Sequence, residues 1–155
     1  METTRQISVF LENKPGRMAN VLSALAHDKI NLTALTVMDS HEHSVLRLVA
    51  DDLLKTRQAI KNLGIPFGET DVVVVELRNQ VGALAHVCEI LAGEHINIEY
   101  AYCSAGGRNG KTLGVFKVSS TDKALRVLGE SPNHTIRRRM GRRPMHTRNA
   151  KPTSI

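Results

Sequence analysis

The stretch Val9-Phe10-Leu11-Glu12-Asn13-Lys14-Pro15-Gly16-Arg17-Met18-Ala19, running on to Leu25-Ala26 and Ile30-Asn31, is written twice in this chain. Moved along by 66 positions, Val9, Leu11, Asn13, Gly16, Ala19, Val21, Leu25, Ala26, Ile30 and Asn31 meet Val75, Leu77, Asn79, Gly82, Ala85, Val87, Leu91, Ala92, Ile96 and Asn97. That is ten identities in 23 ungapped positions, and the unmatched positions mostly keep their polarity. One structural unit is used twice.

Each copy reads the same way. Residues 7–11 and 72–77 are short β-branched or apolar runs closed by the turn formers Asn13 and Asn79, which predicts strands. Met18, Val21, Leu22 and Leu25 fall at i, i+3, i+4 and i+7, one face of an amphipathic helix; Leu84, Val87, Cys88 and Leu91 repeat that stripe. Second strands open near Asn31 and Asn97. A polar turn over 39–43 leads to a third strand at 44–50, and a glycine-rich turn with Gly106, Gly107 and Gly110 leads to a strand at 113–118. A second helix then starts at Asp51-Asp52, whose charges suit a helix N-terminus, and stops at Gly64; its counterpart runs from Ser120-Thr121-Asp122 to Gly129.

A closing strand at 66–69 completes βαββαβ in the first copy, the ferredoxin-like arrangement of an antiparallel sheet with two helices on one face. After Gly129 no convincing closing strand follows, so the tail is expected to replace or omit it. The fold class is therefore α+β: two ferredoxin-like units at 1–70 and 71–132, then a basic, disordered tail at 133–155. Units of about 65 residues bury little alone, so they should pack on each other or on another chain.

Composition narrows the function. The chain has 155 residues, 41% of them hydrophobic, an ordinary globular balance. No apolar run approaches the roughly 20 residues of a membrane helix, and no secretory signal is visible, which makes a cytoplasmic protein the expectation. The net charge of +6 sits in the tail, where six arginines and Lys151 face no acid; the other 132 residues carry 14 basic and 15 acidic side chains. The body has no electrostatic reason to bind nucleic acid.

The segment from Glu12 to Ala19, followed by Lys29-Ile30-Asn31-Leu32, resembles the ACT domain, and Asn79, Gly82, Ala83, Leu84, Ala85, Ile96, Asn97 and Ile98 carry the resemblance again. It covers about residues 6–131 and is closest in kind to stand-alone tandem ACT proteins. It implies a regulatory module that senses a small ligand, commonly an amino acid, and couples it to a partner such as an amino-acid biosynthetic enzyme, without catalysis or cofactor. A homodimer is expected from lateral sheet pairing. Val81 stands where the second turn would have proline, so that turn is expected to be the less rigid one.

The site has its own rationale. Glycine lets the chain turn tightly and lets a ligand approach, and each turn ends at a helix N-terminus, whose N–H groups and dipole favour a carboxylate. Asn13 and Asn79 add donors and acceptors suited to a zwitterion. The candidate ligand-binding residues are Asn13, Pro15, Gly16, Arg17, Met18 and Asn31, with Asn79, Gly82, Ala83, Leu84 and Asn97. A crossover helix puts Asn13 and Asn31 at opposite ends of one unit, so composite sites are expected. The resemblance implies that a turn faces the strand-opening Asn of a neighbour related by a two-fold axis, hence Asn13 opposite Asn97 and Asn79 opposite Asn31.

Other motifs take plain readings. Residues 105–112 fit a relaxed phosphate-loop pattern, but a strand follows where a helix is needed, so a hairpin loop is the better reading. His41 and His43 lack a third metal ligand. Cys88 is a core hydrophobe by position, Cys103 lies half-buried on a strand, and no nucleophile–base arrangement stands out. The tail has no aromatic residue for base stacking. Cutting after Ser131 should leave stability unchanged unless 134–139 supplies a closing strand. Two rival functions remain, a nucleic-acid-associated regulator acting through the tail and a structural ACT subunit that binds no ligand.

Overall fold

The computed structural model describes residues 1–39, 43–104 and 111–130. The expectations for the two loops between those ranges and for the tail lie outside the described residues. Ten elements follow one another: β1 (Glu2–Glu12), α1 (Arg17–His27), β2 (Leu32–Asp39), β3 (His43–Ala50), α2 (Leu53–Asn62), β4 (Phe67–Arg78), α3 (Ala83–Gly93), β5 (Ile98–Ser104), β6 (Lys111–Val118) and α4 (Thr121–Glu130). The strands form one six-stranded antiparallel sheet in the order β2-β3-β1-β4-β6-β5.

The helices exist because the sheet buries them. At 10 or 11 residues each they are short of independent stability. Ile7, Val9 and Leu11 of β1, with Leu46 and Leu48 of β3, receive Val21 and Leu25 of α1 and Ala59 and Ile60 of α2. Val73, Val75 and Leu77 of β4, with Phe116 and Val118 of β6, receive Val87 and Leu91 of α3 and Ala124 of α4. Each of the larger aliphatic and aromatic side chains among them contributes about 1.5–3 kcal/mol. Asp52 caps α2, its carboxylate accepting from the Lys55 N–H at 3.0 Å.

The missing closing strand is found at the other end of the chain. β1 is longer than the sequence predicts, and β4 joins the two expected runs at 66–69 and 72–77 into one strand. Where they pair, Ser8 faces Gly68 and Glu2 faces Val74. The 66-residue repeat converts one pair into the other, since Ser8 becomes Val74 while Gly68 becomes Glu2. The first half of β4 thus closes the first copy, and the first half of β1 closes the second. A pseudo-two-fold axis passes between Arg5 and Asp71, which face each other in the ladder and form an ion pair at 2.9 Å.

The central part of the helix-free face is also covered, by the sheet itself. The edge strands β2 and β5 approach each other. Between them Ala34, Val49, Val72, Val74 and Val115 form a third apolar cluster, joined by Tyr102 and Leu113. Gln6 is fully buried there and fully bonded. Its amide donates to Tyr100 Oη at 2.8 Å and Ser8 Oγ at 3.1 Å, and its carbonyl accepts from Tyr102 Oη at 3.0 Å. Burial pushes the Tyr102 phenol well up, so it stays protonated and donating. The Arg47 guanidinium lies 3.9 Å from the centre of the Tyr100 ring. Among the described residues no helix is long and apolar enough to cross a membrane.

Candidate functional site

The two glycine turns join β1 to α1 and β4 to α3, and their backbones are nearly the same. Gly16 sits at φ 85° and Gly82 at φ 87°, both left-handed and both at the N-cap. Before them, the Lys14 N–H donates to Glu12 O at 2.8 Å and the Arg17 N–H to Lys14 O at 3.3 Å. In the second turn Gln80 donates to Arg78 O at 2.8 Å and Ala83 to Gln80 O at 3.3 Å. Val81 in place of Pro15 therefore leaves the geometry of the second turn unaltered.

The N-cap residue of each helix is a glycine, which brings no side chain to its first turn. A Cβ built on Gly16 or Gly82 meets nothing within 4 Å, so the space over each turn is open. Asn13, Pro15, Gly16, Arg17 and Met18 are exposed, as are Asn79, Gly82 and Leu84, while Ala83 is half-buried. A helix N-terminus open to solvent presents N–H groups that have no partner four residues back within the helix, and partial positive charge, which suits a carboxylate.

The side chains around the turns differ. In the first, the Glu12 carboxylate accepts from Arg17 at 2.8 Å and pairs with Lys14 at 3.2 Å. Hydrogen bonds from Lys14 and then Arg17 hold its carboxyl below the usual carboxylate range. In the second, Arg78 replaces Glu12, Ala83 replaces Arg17, and Val81 and Leu84 stand exposed.

The strand-opening asparagines serve the backbone. The Asn31 N–H donates to the Asp51 carboxylate at 3.1 Å, and the Asp51 N–H returns to Asn31 O at 3.1 Å. In the second copy the Asn97 N–H donates to Ser119 Oγ at 3.1 Å, and the Ser119 N–H returns to Asn97 O at 2.9 Å. These reciprocal bonds tie the start of β2 to the end of β3, and the start of β5 to the end of β6. Sequence reading missed Asp51 and Ser119 as their partners, because the pairs lie 20 and 22 residues apart. Both asparagines are exposed.

The ladder does not bring the expected asparagine pairs to one level. Leu32 pairs with Ala50 while Leu48 pairs with Ile7, so Asn31 lies level with Thr4, beside the pseudo-axis. Ile98 pairs with Val118 while Phe116 pairs with Val73, so Asn97 lies level with Thr70, beside the pseudo-axis. The turns lie at the outer ends of β1 and β4. At about 3.3 Å per residue, Asn13 stands roughly 23 Å along the strands beyond the level of Asn97, and the pseudo-two-fold repeats this for Asn79 and Asn31. The expected pairing within one chain is corrected by this register. Cys103, expected to be half-buried, is exposed, and Cys88 is partly buried against the second core.

A family model for an ACT domain pair matches residues 2–137. The chain belongs to the ACT domain pair family. Among solved structures, protein BT0572 from Bacteroides thetaiotaomicron is 38% identical with a TM-score of 0.77, over 83% of this chain and 88% of that one. The ligand-free regulatory subunit of aspartate kinase from Thermus thermophilus shares the fold at 16% identity and TM-score 0.60, over 83% of this chain and 96% of that one. The corresponding subunit from Thermus flavus does so at 19% and 0.57, over 83% and 94%. No curated protein matches the chain. An ACT pair is a regulatory fold, and the turns described above are its repeated, solvent-open feature.

Proposed function

We propose that this ACT pair is a non-catalytic, cytoplasmic regulatory protein that binds an amino acid at its glycine turns and passes the binding event to an amino-acid biosynthetic enzyme. The observation that carries the reading is the duplication of one geometry: an open left-handed glycine at the N-cap of a helix, at φ 85° and 87°. A turn needed only to reverse the chain has no reason to leave the same helix N-terminus open in both copies. The fold shared with aspartate kinase regulatory subunits supports a regulatory role and an enzyme partner of that class.

The ligand's carboxylate lies at the N-terminus of α1 or α3, next to Asn13 or Asn79. With Asn97 and Asn31 far along the strands, the opposite wall of each site comes from a second copy of the chain in a homodimer. Binding then favours one packing of the two copies, and the partner enzyme responds to that packing. Thermal unfolding of the full chain with each common amino acid in turn is the test. At least one should raise the midpoint in a concentration-dependent way. No response to any of them removes the reading.

A further inference from the structure

The pseudo-two-fold symmetry is broken at one place, where the second copy has a cleft. In the first copy the chain leaving α2 returns through Ile65 and Pro66. Ile65 packs on the first core, and the Phe10 N–H donates to Pro66 O at 3.0 Å. In the second copy the ladder between β1 and β4 ends at Glu2↔Val74, although β4 runs on to Arg78. Beside that last stretch of β4 lies a cleft of about 370 Å³, at the lower end of the range of small-molecule sites. Val75, Leu77, Leu128 and Met1 give it apolar walls. Gly129, near the end of α4, keeps it open, since a Cβ there would already lie 3.5 Å from Met1 Cε, at ordinary contact distance.

The rim is polar and cationic. Arg78 and Lys111 stand there against the one carboxylate of Glu76. Lys111 is engaged with that carboxylate, and its hydrogen bond holds the Glu76 carboxyl below the usual range. Arg78 forms no ion pair among the described residues. We propose that the cleft binds a short aliphatic monocarboxylate, with its carboxylate on the Arg78 guanidinium and its hydrocarbon chain against Val75, Leu77 and Leu128. A guanidinium presents paired donors that match the two oxygens of a carboxylate. The chain and not the head group lies toward Leu128 and Gly129, because the last carbonyls of a helix repel an anion. An ammonium group finds no free acid, since Glu76 is the one carboxylate among the described lining residues and already holds Lys111. None of the residues proposed for amino-acid binding at the glycine turns lines the cleft, so this ligand differs from an amino acid in class and in place.

The test is calorimetric titration of the full chain with hexanoate, and with hexylamine as the same chain carrying the opposite charge. Hexanoate should bind saturably, at about 1 mM or tighter, and hexylamine about tenfold more weakly or worse. Arg78→Ala should weaken hexanoate about tenfold. Arg126→Ala, which removes an exposed cation elsewhere on α4, should leave the affinity unchanged. Gly129→Leu should abolish binding by filling the cleft, and its thermal midpoint should match or exceed that of the parent, because leucine favours a helix more than glycine does. Absence of saturable hexanoate binding to the full chain would overturn the proposal. So would equal affinity for hexylamine, or hexanoate binding that survives Gly129→Leu. An equal loss in Arg126→Ala and Arg78→Ala would also overturn it, because binding would then follow net charge and not the cleft.

Discussion

The first glycine turn is rigid by composition and carries an ion cluster; the second lacks proline and exposes two apolar side chains, yet their backbones coincide. Pro15 and Val81 occupy equivalent places, and the flanking glycines differ by only 2° in φ, at 85° and 87°. The shared causes are the glycine and the two backbone hydrogen bonds around it, so these set the turn. Side chains then distinguish the copies, with a Glu12–Lys14–Arg17 ion cluster over one turn and Val81 and Leu84 exposed at the other. Geometry is duplicated while recognition chemistry has diverged.

The largest expected effects come from the cores, where the copies solve one packing problem differently. Val9 faces Leu46 in the first copy, and Val75 faces Gly114 in the second. Leu46 is fully buried, whereas a Cβ on Gly114 would lie 2.7 Å from the Phe116 ring and 3.2 Å from Leu77. Leu46→Ala should therefore cost about 2–5 kcal/mol by leaving a cavity. Gly114→Ala should cost about 1–3 kcal/mol by overfilling. Denaturant unfolding of both checks the contrast, and a neutral Gly114→Ala would break it.

Next come the turn glycines. Nothing lies within 4 Å of a Cβ at either, so the penalty is conformational alone. Gly16→Val and Gly82→Val should each cost about 1–2 kcal/mol, by nearly equal amounts. A clear inequality would mean that proline contributes to the first turn after all. The converse change, Val81→Pro, should stabilise by about 0.4–1 kcal/mol, because Pro15 already fits the same geometry.

The smallest effect concerns acid. In the first copy Arg57 on α2 grips Glu69 on β4 through two bonds of 2.6 and 2.9 Å, while the second copy has Leu125 and Thr3 at those places. The Arg57 hydrogen bonds hold the Glu69 carboxyl below its ordinary value. A carboxyl depressed in the folded state contributes stability above its unfolded pKa and loses it as pH falls through the folded one. Acid titration of thermal stability should thus show a loss beginning below about pH 4.5, of which Glu69→Gln removes a part.

Much of this was legible beforehand, for physical reasons visible in particular residues. The repeat and the helix stripes at Val21 and Leu25, or Val87 and Leu91, are local patterns, and local patterns survive reading from sequence. The continuity of β4 was not legible, because Gly68, Glu69, Thr70 and Asp71 interrupt the apolar run at the pseudo-axis. Nor was the closing role of Glu2–Arg5, a polar stretch whose pairing partner is 66 or more residues away. Gln6 gave no sign of burial, since Tyr100 and Tyr102, which satisfy it, lie 94 and 96 residues on. For the site, the glycine turns could be read and the register separating Asn13 from Asn97 could not.

The most direct test of the central claim is calorimetric titration of the full chain and of its Gly16→Val and Gly82→Val variants with the amino acid that most raises the thermal midpoint. The duplicated turns predict binding to the parent chain and loss of part of the bound ligand in each single variant, with different affinities for the two remaining sites because Arg17 and Ala83 differ. Parental affinity and stoichiometry in both folded variants would contradict it.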